Sequence, residues 1–169
     1  LPMTKYGVAV YYIVSPSEVT TNMQRYDGIK FGQIASDAEN LDDFYKKVKS
    51  RGFGPEMKRR IMVGNYVLSA ESYEAYYIKA QKVRTLIINE FADAFQKCDV
   101  IMAPVYTTDA LAIPSAIAGL PGVSVPAGFT EAGLPVGLQI LVAQRKEALM
   151  FGVAKAFEDA TEYYKRVPA

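Results

Sequence analysis

Between Ser72 and Lys97 the residues Tyr73, Tyr77, Ala80, Val83, Ile87, Phe91 and Phe95 recur at steps of three and four for seven turns. That spacing puts all seven on one face of a helix and requires the rest of the fold to cover a stripe about 40 Å long. The stripe is read as a packed core face, with an aromatic binding strip as the alternative. A helix of this length predicts a structural spine on which shorter elements are laid.

Those shorter elements are marked by punctuation. Val8 to Val14 is nearly all apolar and β-favouring and closes at Ser15-Pro16, which predicts a strand buried on both faces and hence a parallel or mixed sheet. A helix is expected from about Leu41 to Ser50, with Leu41, Phe44, Tyr45 and Val48 on one stripe, stopped by Gly52-Phe53-Gly54-Pro55. Pro55 suits the first turn of the next helix, expected to reach about Ala70 with Ile61, Val67 and Leu68 inward. Asp99 to Ala103 reads as a strand ending at Pro104, and two Gly-Leu-Pro runs, at Gly119 and Gly133, each introduce a further strand. A last helix, Glu147 to Tyr164, would bury Leu149, Val153, Phe157 and Ala160. Strands and helices alternate without repeat or linker, so the class is α/β and residues 1–169 are taken as part of one domain.

Composition narrows the chemistry. Nineteen basic and 18 acidic residues leave a net charge of +1, so no global field draws the chain to nucleic acid or an anionic membrane. There is no histidine and one cysteine, Cys98, which removes His-assisted nucleophiles and the usual zinc spacings, and reads as a cytosolic, metal-free chain. No apolar run approaches the roughly 20 residues of a membrane span. The chain starts at Leu1-Pro2 without an initiator methionine, as expected of a segment of a longer protein.

Arg25-Tyr-Asp-Gly-Ile-Lys-Phe-Gly32 is the stretch with the clearest binding chemistry. Its guanidinium can fork two hydrogen bonds onto a carboxylate, a geometry lysine does not offer. On the residues alone, a structural ion pair of Arg25 with Asp27 or another loop acid is the stronger reading. Ser115 and Ser124 lie beside turns but have no adjacent lysine or histidine base, which favours structural roles. Lys58, Arg59 and Arg60 are the densest basic run, either a local RNA contact or, more commonly, a solvated helix face.

TNMQRYDGIKFG, SRGFGPEMKRRIMVGNYVLS, YYIKAQKVRTLI and IPSAIAGLPGVSVPAGF followed by GLPVGLQI occur in this order over almost the whole chain. Together they resemble the C-terminal third of the A subunits of glutamyl-tRNA(Gln) amidotransferases, within the amidase-signature family. The resemblance implies an α/β amidase-signature fold, a mixed β-sheet covered by helices on both faces, of which this chain supplies one end. It implies glutamine hydrolysis by a Ser–cis-Ser–Lys triad, with ammonia passed to a B subunit that activates glutamyl-tRNA with ATP and Mg and handles the tRNA. A small C subunit clasps the two. No GGSSGGS-like triad run occurs between Leu1 and Ala169, so the segment alone is expected to be inactive.

The same resemblance gives Arg25 the α-carboxylate of glutamine, reversing the order reached on the residues alone. It gives Asp109, in TTDALAIP, the α-ammonium; the alternative for Asp109 is a helix cap. The chain departs from the family pattern between Pro104 and Thr108, where about twenty further residues are usual. The short connection is either a deletion or a junction across a gap. A stand-alone amide hydrolase of the same fold and a non-catalytic binding or scaffold segment are the remaining alternatives.

Overall fold

The structure, a computed structural model, describes residues 1–105 and 111–166. It divides into two compact units, one of Leu1–Tyr11 with Lys82–Ala169 and the other of Tyr12–Gln81, so that the divisions fall inside two helices. These are α1 (Gly7–Met23) and α4 (Lys79–Phe95).

Among the described residues the first unit holds a three-stranded sheet in the order β1-β3-β2: β1 (Val100–Pro104), β2 (Gly122–Phe129) and β3 (Pro135–Val142). Both pairings are antiparallel, with Met102 and Val123 flanking Ile140, and Val125 beside Leu138. Alternation then puts Val125, Ile140 and Val142 on one face, where Met150 and Ala154 of α6 (Glu147–Thr161) complete the core, with Val153 and Phe157 packed against it. Of the stripe expected on α6, Val153 and Phe157 face this core as anticipated, while Met150 and Ala154 are its buried members. Leu149 is exposed, and so is Ala160.

The two Gly-Leu-Pro runs are used differently. Gly119 ends the short helix α5 (Ala112–Ala118) at φ +70°: its N–H bonds to the Ala116 carbonyl and that of Leu120 to Ser115, the paired bonds that close a helix on a left-handed residue. Gly133, at φ +77°, turns the β2–β3 hairpin, where Thr130 N–H bonds to Leu134 and Gly133 N–H returns to Thr130.

The second unit is helical. Val8 to Val14, expected to be a strand, belongs to α1, and the parallel or mixed sheet inferred from it is replaced in this chain by the antiparallel one. Gly7, Val10, Val14 and Ser17 are buried at a helical step, while Val8 and Tyr12 are exposed, so the segment is apolar all round and hides its period. Pro16 lies inside α1 and has no N–H to donate, and next to it the Ser17 hydroxyl donates to the Ile13 carbonyl at 2.7 Å.

Helices α2 (Leu41–Gly52) and α3 (Pro55–Val67) follow as expected, although Leu41 is exposed and Val48 is the residue of the anticipated stripe that is fully buried. Asn40 caps α2, its side chain accepting from Asp43 N–H at 2.9 Å, and the Asp43 carboxylate accepts from Glu39 N–H in return. Pro55 takes the first turn of α3, as anticipated. Gly64 lets α3 lie against α1: a Cβ there would collide with Thr20 Oγ1 and the Pro16 carbonyl, and the Thr20 hydroxyl donates to the Ile61 carbonyl at 3.0 Å. The spine is helical from Tyr73 onward, its first turn a π-helical one (Tyr73–Ile78), with Ala80, Ile87 and Phe91 buried.

Candidate functional site

The loop from Arg25 to Gly32 is built by its own residues. The Asp27 carboxylate accepts from the N–H groups of Ile29 at 2.9 Å and Lys30 at 3.1 Å, an Asx turn, and those two bonds, Ile29 first, hold it below the usual carboxylate range. Gly28 sits at φ +81° with its N–H on the Phe31 carbonyl; a Cβ there would stand 2.6 Å from Val48 Cγ2. Gly32 is also left-handed, at φ +94°. Tyr26 packs by its ring on Phe31 and Phe53, and its carbonyl accepts from Lys49 Nζ at 2.6 Å. Lys49 thus fastens the loop to α2. Neither Lys49 nor Asn22 is apparent as a loop residue in the sequence.

This arrangement separates Arg25 from the acid it could have paired with. Asp27 is spent on the loop backbone, and Arg25 is exposed at the end of α1, donating to Asn22 Oδ1 at 3.5 Å. The other three arginines of the unit are matched: Arg51 forks onto Asp37 at 2.7 and 2.9 Å, and Arg59 and Arg60 share Glu56. Arg25 has no carboxylate within 4.0 Å among the described residues. Beside it, Asn22 lines a hollow of about 260 Å³ with Glu18, Leu68 and Tyr77.

The basic run at Lys58–Arg60 is largely answered from within: Glu56, lowered to about 2 by Arg59 and then Arg60, neutralises part of it, and Lys58 Nζ donates to the Ser50 carbonyl. That matches the solvated-face reading. Ser115 is 3% exposed and donates to the Ala112 carbonyl within its own helix turn. Asp109 lies outside the described residues. The described α5 begins with Leu111 as its N-cap and no side-chain cap. No cluster of three or more potential metal ligands, and no helix long and apolar enough to cross a membrane, occurs among the described residues.

A family model described as Amidase matches residues 1–113, and the chain belongs to the amidase family. It is 48% identical, over 186 residues, to the A subunit of the glutamyl-tRNA(Gln) amidotransferase of Lactococcus lactis subsp. cremoris, and 46% identical over 185 residues to that of a Cyanothece strain. Each match takes in 99% of this chain and 38% of the relative, so the chain spans well under half the length of these curated relatives. The first match runs over 186 residues against a chain of 169, so the alignment includes positions of the relative that have no counterpart in this chain.

Among solved structures, the A subunit of the glutamyl-tRNA(Gln) amidotransferase from Thermotoga maritima aligns with a TM-score of 0.60 at 32% identity, over 94% of this chain and 33% of that one. A structure described as an amidase aligns at TM-score 0.66 and 18% identity, which speaks for the fold alone. The α/β amidase-signature class is thereby established.

Proposed function

We propose that the chain is the C-terminal segment of a glutamine-hydrolysing A subunit of a tRNA-dependent amidotransferase, and that its part is to hold the substrate glutamine. The relatives support the reaction class. The observation that carries the residue is Arg25: an exposed guanidinium with one long contact to a neutral amide, next to a loop that does not need its charge. A guanidinium left in this way is prepared for a planar carboxylate, and glutamine carries one at its α-carbon. Asp109 is the proposed partner of the α-ammonium. The nucleophile and its lysine base are supplied from elsewhere in the longer polypeptide. A B subunit using ATP and Mg to activate glutamyl-tRNA, and a C subunit, complete the proposed assembly.

The test compares glutamine-dependent with ammonia-dependent amidation in the assembled enzyme. Arg25→Ala should raise the glutamine KM by a factor equivalent to about 2–3 kcal/mol and leave the ammonia-dependent rate intact. Arg25→Lys, which keeps the charge and loses the fork, should fall between. Equal loss of both rates would make Arg25 a structural residue and remove it from the site.

A further inference from the structure

A second depression in the helical unit belongs to none of this. It is a groove of about 630 Å³ where the end of α1 meets α2 and α3. Met23, Phe53, Ile61 and Met62 give it an apolar floor, and Met62 is 72% exposed. Lys46, Lys49 and Lys58 stand around that floor, and no aspartate or glutamate lines it. Lys49 and Lys58 hydrogen-bond backbone carbonyls at the ends of α1 and α2, so both ammonium groups lie over helix C-termini and neither meets a carboxylate among the described residues. Lys46 reaches Asp42 across a fully solvated pair.

An apolar trough rimmed by one sign of charge selects for a partner of the opposite sign with apolar side chains to bury. A phosphodiester backbone would satisfy the lysines and leave Phe53 and Met62 unused. We propose that this groove docks an acidic amphipathic helix of another polypeptide, its apolar stripe against Met62 and Phe53 and its carboxylates toward Lys46, Lys49 and Lys58. The proposal does not depend on the glutamine reading, because no groove residue is offered as a substrate contact.

The probe is a fluorescein-labelled peptide of about four turns with leucines at helical spacing flanked by glutamates, titrated onto the whole polypeptide that carries this chain. A second peptide has lysine in place of each glutamate. Binding of the acidic peptide should be saturable and weaken with salt, and Met62→Glu and Lys46→Glu, both at exposed positions, should each raise its Kd roughly ten-fold or more. Equal binding of the lysine peptide, or a Kd unmoved by both substitutions, would overturn the proposal. So would displacement of the peptide by a short single-stranded RNA, which would make the groove a phosphate surface. In a Cys98→Ser background, Met62→Cys should react with iodoacetamide in the whole polypeptide and be protected by the acidic peptide. Failure to react without the peptide would mean that the same polypeptide already covers the groove, and would overturn the proposal as well.

Discussion

The sheet-bearing unit and the helical unit are held together by different physics. Around β3, Ile140, Leu141 and Val142 are each 0% exposed, and the cluster that holds Ile140 and Val142 is apolar throughout. Between Tyr12 and Gln81 the buried hydrophobic residues are small, Val14, Ala35, Val48, Val67 and Ala80, and three buried residues are polar, Ser17, Thr20 and Ser72. The helical unit compensates with directed contacts, among them Thr20 to Ile61, Lys49 to Tyr26 and Arg51 to Asp37. Apolar burial is indifferent to direction and scales with area. Hydrogen-bonded fastenings fix geometry and contribute modestly each. A unit that presents a loop and a groove gains from the second strategy, since it leaves surface free for ligands.

The largest effect expected from this contrast lies in the sheet. Ile140→Ala deletes a side chain enclosed by Val123, Met102 and the α6 face, so the lost transfer energy and the residual cavity should together cost about 3 kcal/mol. Urea unfolding followed by circular dichroism checks it. An unchanged midpoint would mean that the aliphatic core is not what holds this unit.

The helical unit offers a sharper test at Gly64. Alanine is the better helix former by about 1 kcal/mol, which would stabilise an open position. At Gly64, however, the new methyl meets the Pro16 carbonyl, a backbone atom that cannot rotate away, and overpacking of this kind costs about 1–3 kcal/mol. The collision should win, and Gly64→Ala should destabilise by about 1 kcal/mol. Gly52→Ala is the control, since nothing lies within 4 Å of its Cβ; it should be neutral or stabilising. If both substitutions stabilise, the α1–α3 approach is looser than described.

What could be read from the sequence follows the same division. The strands after each Gly-Leu-Pro run were legible from the turns that introduce them, and the spine through Ile87 and Phe91 from its one-sided apolar stripe. Val8 to Val14 was misread because its outward residues, Val8 and Tyr12, are as apolar as its inward ones. On α6 Val153 and Phe157 were legible, whereas Leu149 was taken in place of Met150 because the two are similarly hydrophobic and only tertiary contact chooses between them. At the site, the glycines of the Arg25–Gly32 loop announced left-handed backbone, yet the use of Asp27 did not show: a carboxylate two residues from an arginine suggests an ion pair, and its short side chain reached the nearer N–H groups instead. The groove was invisible because Met23 of α1, Lys46 and Lys49 of α2, and Lys58 and Met62 of α3 come from three helices that only folding brings together.

The smallest expected effect separates the units by pH. In the helical unit Asp37 is held well below the usual range, first by Arg51 and then by Lys47, and Asp43 is lowered chiefly by Lys47. Glu56 is brought from 4.5 to about 2 by Arg59 and Arg60. A carboxylate whose folded pKa is depressed contributes stability that is fully present above its unfolded value and is lost as pH falls through the folded one. For Glu56 that window runs from about 4.5 down to about 2, and Asp37 continues the trend below it. These groups are solvated, so the loss is small and further reduced by salt. In the other unit the resolved shift among the described groups is that of Lys155, raised by Asp159, and a raised lysine keeps its contribution until pH rises through its folded value. Hydrogen exchange read by mass spectrometry between pH 6 and 2, corrected for intrinsic rates, should therefore show residues 33–51 opening before β3. Asp37→Asn should remove part of that pH dependence while leaving the β3 amides unmoved. Simultaneous opening of the two regions would show that the acid response is global, and that the polar fastenings and the aliphatic core do not act as separate supports.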